Sequence, residues 1–401
     1  MKSKLIMLFC AVLLCLSLSS CRLIAYIGGM IPVPAKTEAS TEAAPFDRSS
    51  AYGLIPNFDL KYYLSALDDS DLQNVCSIYA AVSLFAESCE VKGNISRDEA
   101  ILLFRLVEYE CPELFQLDDS KNLRIEYSTV TGIAKKIYFD YRLTKEEYNE
   151  AFRLCSGAVD GFLASVQGMS GFDTELKAFD RIAQNCVYDK EADFSDSAYG
   201  SLILGKAKCD GISRGFKWLC EAAGLQCLLV TADLKEGDAG HAWNMVELDG
   251  GFYNVDLTQN VPNDSGADAR ESSYNCFNVP TAVMEEIYEI YEYGGGYKRL
   301  PVCDSFDKNY YAVNGIFIKA GGDPYGPLHD ALAEALAAGG GFGIYFESAD
   351  DSAAFCDGFA EKVREWIYGA ENVAYVDVLQ HGSRLYTFTV TNNGADTAEA
   401  E

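Results

Sequence analysis

The chain has 401 residues, and 49% of them are hydrophobic, which is enough to bury two or three hydrophobic cores of ordinary size. Its 32 Lys and Arg residues stand against 60 Asp and Glu residues, giving a formal net charge of -28 at pH 7. A nucleic-acid-binding surface needs clustered basic residues, so nucleic acid is not expected as a partner. The charge balance predicts an acidic, well-solvated surface instead.

The N-terminus has the features of an export signal. Two lysines precede an apolar run from Leu5 to Leu18, which is short for a membrane-spanning helix, since that takes roughly 20 residues. The Leu-Ser-Ser-Cys sequence ending at Cys21 resembles a bacterial lipobox. This resemblance implies a lipoprotein signal peptide over residues 1–20, lipid attachment at Cys21, and an extracytoplasmic, membrane-anchored lipoprotein at the bacterial cell surface. The alternative is an ordinary secretory signal with an incidental cysteine.

Residues 21–50 are predicted to form a flexible tether, because they are rich in small and charged residues and show no regular spacing of apolar residues. Residues 51–170 predict a mostly helical N-terminal region. Its expected elements are a helix over 69–90, a helix from Ser96 to Tyr109, strands within 123–140 and a helix from a capping box at Thr144 to about Val166.

Residues 171–300 predict the domain that carries the candidate chemistry. Apolar residues after Cys209 recur on one helical face and Gly224 caps the end, while Asp249-Gly250-Gly251 is a hairpin signal. The predicted elements are a helix over 172–188, a helix following Cys209, a buried strand over 225–231 and a hairpin with strands 241–248 and 252–257.

Residues 301–395 predict a small α/β domain without an obvious catalytic constellation. The expected elements are strands over 312–319, 342–347, 372–379 and 385–390 and helices over 328–338 and 353–368. Residues 396–401 predict a disordered acidic tail.

Three residues of the central domain have the chemical types needed for thiol acyl transfer. Cys209 opens a helix, where unpaired N–H groups and the helix dipole favour a thiolate. His241 opens one hairpin strand, and Asp256 lies on the returning strand. A two-residue turn at Asp249-Gly250 makes His241 and Asp256 diagonal neighbours on one face, with Cβ atoms about 7–8 Å apart or less, and a Gly250-Gly251 turn also keeps them on one face. A nucleophile, a base and an orienting carboxylate result.

Each of these residues also has a structural interpretation: a buried thiol, a hydrogen-bonded strand histidine and a turn-capping aspartate. The remaining histidines, His329 and His381, are expected at the surface. Ten further cysteines lack any CxxC spacing and are expected as mostly buried free thiols: Cys76, Cys89, Cys111, Cys155, Cys186, Cys220, Cys227, Cys276, Cys303 and Cys356. No ligand spacing indicates a metal site, and no cofactor is expected.

The runs 199–211, 241–250 and 253–258 together resemble the transglutaminase-like superfamily of bacterial surface proteins. The resemblance implies an α+β, papain-like core in which the helix bearing Cys209 packs on an antiparallel sheet bearing His241 and Asp256. It also implies a Cys-His-Asp triad and acyl chemistry on amides. Many relatives have a tryptophan where this chain has Gln259, so the shape of the substrate pocket is in question. The backbone N–H of Cys209 is the expected oxyanion donor, with Tyr199 suggested as a second.

The sequence therefore predicts an exported, lipid-anchored thiol enzyme that acts on carboxamide or peptide bonds through a thioester. Its substrate is expected to be a protein or peptide of the cell-wall environment. Transglutaminase, deamidase and peptidase activities use the same triad and stay open. The alternative is a non-catalytic transglutaminase-like binding or scaffolding lipoprotein.

Overall fold

A computed structural model describes residues 46–118, 123–237, 239–262, 273–291, 293–294, 298–368 and 373–392. These residues form two compact units. The first unit contains the described residues up to Gln167, with Trp218–Gln226 and Tyr293–Lys298, and the second contains Gly168–Lys217, Cys227–Glu292 and the described residues from Arg299 onward. The predicted signal peptide, Cys21 and the acidic tail lie outside the described residues.

The first unit is mostly helical. Its helices are α1 (Ser49–Leu54), α2 (Asp69–Ser83), α3 (Arg97–Glu110) and α4 (Lys145–Ser165). Its strands β1 (Ser88–Glu90), β2 (Arg124–Tyr127) and β3 (Ala134–Tyr138) form an antiparallel sheet in the order β1-β3-β2. Helices α3 and α4 both begin with a capping box, at Ser96, where a helix start was expected, and at Thr144, where the capping box itself was expected.

The predicted helix over 69–90 is wrong in its last third, residues 84–90. Helix α2 ends at Ser83, and Phe85 has a φ of 59°, in the left-handed region. The chain then reverses into β1, where Cys89 pairs with Ile137. Helical spacing alone does not reveal this ending, because Phe85 and Ala86 still occupy apolar positions of the helical pattern.

The second unit contains a five-stranded antiparallel sheet in the order β10-β6-β7-β8-β9. The strands are β6 (Cys227–Leu234), β7 (Gly240–Leu248), β8 (Gly251–Val255), β9 (Phe277–Val279) and β10 (Tyr288–Ile290). Before them come α5 (Gly171–Asn185), β4 (Val187–Tyr188), a π-helical turn (Gly200–Leu204), β5 (Lys206–Ala207) and α6 (Cys209–Ala222), and after β9 comes the short α7 (Thr281–Met284). The segments β11 (Tyr293–Gly294) and β12 (Lys298–Arg299) pair with each other.

The C-terminal residues of the second unit form a four-stranded sheet in the order β13-β14-β16-β15. Its elements are α8 (Tyr310–Asn314), β13 (Ile316–Ile318), α9 (Tyr325–Ala338), β14 (Gly340–Phe346), α10 (Ala349–Ile367), β15 (Val373–His381) and β16 (Leu385–Asn392). Apolar residues of α9 and α10, including Leu332 and Phe355, pack on Ile344 and Phe388 of the sheet. The predicted strand over 312–319 is wrong in its first half, because Asn309 caps α8 by accepting a hydrogen bond from the Tyr311 N–H at 3.1 Å.

The α+β class expected from the sequence is confirmed, with a helical N-terminal region and antiparallel sheets. Within the described ranges every cysteine is a free thiol; Cys356 is exposed, Cys89 is half-buried and the others are buried. No helix in the described part of the chain has the length and apolar character needed to cross a membrane.

Candidate active site

Cys209 is the first residue of α6, where backbone N–H groups have no partners within the helix. Its exposed fraction is 9%, so little of the residue is open to solvent. The chain before it is held by a hydrogen bond from the Lys208 N–H to the Ser195 carbonyl, at 2.8 Å. The acidic neighbour Asp210 turns to Lys208, with which it forms an ion pair at 3.2 Å. That ion pair offsets the repulsion that a lone carboxylate would exert on a thiolate.

The first turn of α6 fits against a neighbouring loop only because residue 211 is glycine. A Cβ atom at Gly211 would lie 2.3 Å from the Ser195 carbonyl oxygen and 2.9 Å from that of Ser197. Both are backbone atoms, so they have little freedom to move away. The close approach of this loop therefore fixes the position of the helix end that carries Cys209.

Buried hydrogen bonds join α6 to the sheet beside the histidine. Ser213 Oγ donates to the Ala242 carbonyl at 3.1 Å, and Asn244 Nδ2 donates to the Ser213 carbonyl at 3.1 Å. Ala242 directly follows His241, and Ser213 lies about one helical turn after Cys209. These bonds supply the helix-to-hairpin contact that the sequence pattern could not reveal.

The hairpin turns at Asp249 and Gly250, which is the first of the two turn positions that the sequence allowed. Leu248 pairs with Gly251, and the turn residues Asp249 and Gly250 have φ values of 53° and 87°, as a type I′ turn requires. The described ladder ends at Val255, so Asp256 immediately follows β8 rather than lying within it. The Asp256 N–H is held instead by the Cys276 carbonyl, at 3.0 Å.

His241 and Asp256 form a direct hydrogen bond. His241 Nε2 lies 2.8 Å from Asp256 Oδ2, and the side chains are 12% and 0% exposed. The other carboxylate oxygen, Oδ1, accepts a hydrogen bond from the Thr258 N–H at 2.9 Å. Since Asp256 occupies Nε2, Nδ1 is the imidazole nitrogen left available to Cys209, whose side chain adds to the rise in the pKa of His241.

The negative charge of Asp256 favours the protonated form of the His241 imidazole. Burial alone lowers the pKa of His241, but the charge and hydrogen bond of Asp256, followed by Cys209, outweigh it and raise the pKa to about 10. Burial alone raises the pKa of Asp256, but His241 and the Thr258 N–H outweigh it and lower the pKa below its ordinary value. An imidazolium therefore stands beside the thiol of Cys209 at neutral pH.

The aromatic rings of Trp243 and Tyr288 both stack on the His241 imidazole, and the sequence pattern did not indicate Tyr288. Tyr288 of β10 stacks on His241, with ring centroids 4.8 Å apart and an interplanar angle of 12°. It also stacks on Trp243, at 5.2 Å. Tyr288 was not singled out in the sequence analysis, because a three-residue strand that pairs far back in the sequence gives little periodic signal.

Tyr199 stays a prediction as a second oxyanion donor; its ring packs against Phe194, with centroids 5.3 Å apart. A different tyrosine lies near the thiol. Burial raises the pKa of Tyr188, and the nearby Cys209 raises it further. Among the described residues, no group of three or more His, Cys, Asp or Glu side chains is arranged to hold a metal ion.

Residues 163–257 match the family model of the transglutaminase-like superfamily, which confirms the resemblance over that segment. No curated protein matches the chain.

Three solved structures resemble parts of the chain. One is a protein of Cytophaga hutchinsonii provisionally named a cysteine protease, with 12% identity over 35% of this chain and 63% of that one, and a TM-score of 0.24. Another is called a TGase, with 18% identity, coverage of 43% and 50%, and a TM-score of 0.25. A Parabacteroides distasonis protein provisionally named a protease has 6% identity, coverage of 68% and 62%, and a TM-score of 0.24. This chain thus spans less than two thirds of the length of each.

Proposed function

Residues 163–257 match the transglutaminase-like superfamily, and from this premise we propose that the chain is an exported, lipid-anchored thiol enzyme acting on carboxamide or peptide bonds. The observation that carries the proposal is the group formed by Cys209, His241 and Asp256, in which His241 Nε2 lies 2.8 Å from Asp256 Oδ2 and Cys209 adds to the rise in the pKa of His241. It joins a nucleophile to a base, and the base to a group that fixes its orientation.

In the first half of the reaction, the thiolate of Cys209 attacks the substrate carbonyl carbon. The new Sγ–C bond forms as the carbonyl π pair moves onto oxygen, where the backbone N–H of Cys209 at the start of α6 stabilises the charge. The tetrahedral intermediate collapses by breaking the C–N bond. His241 gives its Nδ1 proton to the leaving nitrogen, and a thioester remains on Cys209.

In the second half, water or an amine attacks the thioester carbonyl. His241 takes a proton from the attacking group, the C–S bond breaks, and Cys209 leaves as the thiolate. Asp256 holds the imidazole in one orientation and stabilises its charge in both protonated stages. Attack by water gives deamidation or peptide hydrolysis, and attack by an amine gives crosslinking.

The proposal is tested by measuring the rate at which iodoacetamide alkylates Cys209 as a function of pH, with each cysteine followed by peptide mass spectrometry. We expect rapid alkylation well below the ordinary thiol pKa of about 8.5, and slower alkylation in His241→Gln, which keeps a hydrogen-bond donor for Asp256. Cys356, the exposed thiol of α10, serves as the reference within the same molecule. A Cys209 profile that follows that of Cys356 would reject the enzyme and favour the binding lipoprotein.

The type of reaction is read from products of a glutamine-containing casein digest incubated with a labelled primary amine. Amine incorporation indicates transglutaminase activity, ammonia release alone indicates a deamidase, and new peptide ends indicate a peptidase. All of them should disappear in Cys209→Ala. Turnover that survives this substitution contradicts the assignment of Cys209.

We further propose lipid attachment at Cys21, supported by the Leu-Ser-Ser-Cys sequence after a short apolar run. Cells grown with radiolabelled palmitate should label the wild-type protein and not Cys21→Ser. Equal labelling of the two would reject the anchor and leave an ordinary secretory signal. This measurement is independent of the chemistry at Cys209.

A further inference from the structure

The side chain of Tyr288 reaches His241 across the strand that lies between them, β6. Tyr288 is in β10, His241 is in β7, and β6 lies between them in the sheet. The β6 residue paired with His241 is Ala232, which is also paired with Ile290. Because alternate residues of a strand share a face, Tyr288 and Ile290 lie on the same side as His241 and Ala232. The small side chain of Ala232 leaves room for the tyrosine ring to reach the imidazole.

The turn leading into Tyr288 is held by the C-terminal sheet. Glu286 lies two residues before Tyr288, and its carboxylate accepts hydrogen bonds from two residues that connect β15 to β16. Ser383 Oγ donates to Glu286 Oε2 at 2.6 Å, and Arg384 Nε donates to Oε1 at 3.1 Å. Arg384 Nη2 also binds Oε1, and Nη1 donates to the Glu347 carbonyl. The Arg384 side chain is 13% exposed, so this ion pair is better shielded from solvent than an ordinary surface pair.

The same turn reaches Tyr288 by a second route. Gly382 has a φ of 62°, and a Cβ atom there would lie 3.0 Å from Asn275 Nδ2. Asn275 Nδ2 in turn donates to Gln259 Oε1 at 3.5 Å, and Gln259 partly opposes the rise that burial causes in the pKa of Tyr288. The residues Gly382, Ser383 and Arg384, which we call the β15–β16 turn, thus bind Glu286 and pass close to Asn275.

We infer that the β15–β16 turn positions the imidazole of the candidate active site, by holding Tyr288 flat against His241 through Glu286. This inference rests on the proposed function for its meaning in catalysis, although the stacking itself is independent of any reaction. The face of an aromatic ring stabilises a nearby cation and excludes water, so a stacked Tyr288 favours the imidazolium and protects its hydrogen bond to Asp256. Arg384, Ser383 and Glu286 are positioning residues, because they act on His241 only through Tyr288.

This inference gives the C-terminal sheet a role in the site that its own sequence did not indicate. Residues 301–395 were expected to carry no catalytic constellation, and none of their side chains is described in contact with Cys209, His241 or Asp256. Their contribution comes from one charged and one polar side chain of the β15–β16 turn, Arg384 and Ser383. Variation in this turn should therefore change the reactivity of a thiol that it does not touch.

The test is proton NMR of the full-length protein with labelled histidine, which has only three histidine signals to assign. A proton over the face of an aromatic ring is shielded, so the ring protons of His241 should resonate upfield. Tyr288→Leu should move them downfield, and Tyr288→Phe, which keeps the ring, should leave them near the wild-type position. Arg384→Gln should move them in the same direction as Tyr288→Leu. It should also slow alkylation of Cys209 about 3- to 10-fold at mildly acidic pH, as expected for losing part of a cation–π contact.

The matched control is Arg153→Gln, since Arg153 also binds a glutamate through two nitrogens, Nη2 and Nε, but within α4. It should leave the His241 signal unchanged. If Arg384→Gln does not fold, Glu286→Gln removes the same charge pair while keeping one oxygen acceptor, and the same downfield movement is expected.

An unmoved His241 signal in the folded Arg384→Gln and Glu286→Gln proteins would overturn the inference. This failure is distinct from failure of the proposed function. In the latter case, wild-type Cys209 itself would react as an ordinary thiol, whatever the His241 signal does.

Discussion

Asp256 is a fully buried carboxylate, and its charge is tolerated because both oxygens are engaged. His241 Nε2 binds one and the Thr258 N–H binds the other. A buried charge without such partners costs several kcal/mol, so the pair must be considered as one group. The raised pKa of His241 and the lowered pKa of Asp256 are two expressions of that single interaction.

Replacing Asp256 by Asn removes the charge that raises the pKa of His241. The imidazole of Asp256→Asn should then lose its proton at a lower pH, so that fewer molecules present an imidazolium to Cys209 near neutrality. We expect alkylation of Cys209 to slow by about 10-fold or more, since one pKa unit corresponds to a factor of ten. Asp210→Asn is the control, because Asp210 is paired with Lys208 and has no described contact with His241. Equal effects of the two substitutions would show that only the general acidity of the site matters.

The same pair makes a pH-dependent contribution to stability, with a sign that follows from the two shifts. Asp256 has a lowered pKa, so its contribution is present above 3.8 and is lost as pH falls. His241 has a pKa raised from 6.5 to about 10, so its contribution is complete below 6.5 and is lost as pH rises toward 10. The difference in unfolding free energy between wild type and Asp256→Asn should therefore be largest between pH 3.8 and pH 6.5, where both contributions are present.

At the scale of elements, the position of α6 depends on its glycine at 211. Gly211→Ala forces a Cβ atom against two backbone carbonyls, so the helix end must shift. We expect a loss of about 2–3 kcal/mol in stability, typical of overpacking, together with slower alkylation of Cys209. The measurement is the thermal unfolding midpoint, combined with the alkylation rate of the folded variant.

Gly157→Ala in α4 is the matched control for that substitution. A Cβ atom at Gly157 would meet nothing within 4 Å, and the residue lies inside a helix. The substitution should stabilise the protein by about 0.5–1 kcal/mol, because alanine loses less conformational freedom than glycine. A loss of similar size at the two glycines would mean that the close approach at Gly211 is not what matters.

The parts of the fold that could be predicted are those whose determining contacts lie close together in the sequence. The capping boxes at Ser96 and Thr144 are local, and both helices begin where their sequences indicate. The hairpin register is also local, since it follows from the turn at Asp249. The ending of α2 depended on a backbone reversal at Phe85, which a hydrophobic pattern does not show.

The candidate site divides in the same way. The residue types and spacings of Cys209, His241 and Asp256 are readable in the sequence, although whether they meet was not. Tyr288 was missed because its partner His241 lies on a different strand, with β6 between them. The contact of Glu286 with Arg384 joins residues 98 positions apart, and no local pattern marks it.

At the scale of the whole molecule, a buried carboxyl outside the site makes stability depend on pH. Glu175 of α5 is fully buried, and its Oε2 accepts a hydrogen bond from Asn278 Nδ2 at 2.7 Å. Within the described part of the chain, Glu175 Oε1 and Asn278 Oδ1 have no hydrogen-bond partner. Burial raises the pKa of Glu175 from 4.5 to about 8, with only partial opposition from Asn278.

Because the folded protein holds this proton more tightly than the unfolded chain, stability should fall as pH rises from 4.5 to about 8. Glu175→Gln, which has no proton to lose, should be less sensitive to pH across this range. Above it, the variant should be more stable than wild type by up to about 4 kcal/mol. Unfolding midpoints measured across the range check this, and parallel curves for the two proteins would contradict it.

The contact between Glu286 and Arg384 also has a consequence in time. A ribosome adds about 5–20 residues each second, so the 98 residues from Glu286 to Arg384 take roughly 5–20 s to make. During that interval Cys209, His241 and Asp256 already exist in the growing chain, but the residue that holds the Tyr288 turn does not. The thiol would reach its full reactivity only after the polypeptide has been extended through Arg384. A nascent chain would thus carry a less reactive thiol than the finished protein, because of the order in which its own parts are synthesised.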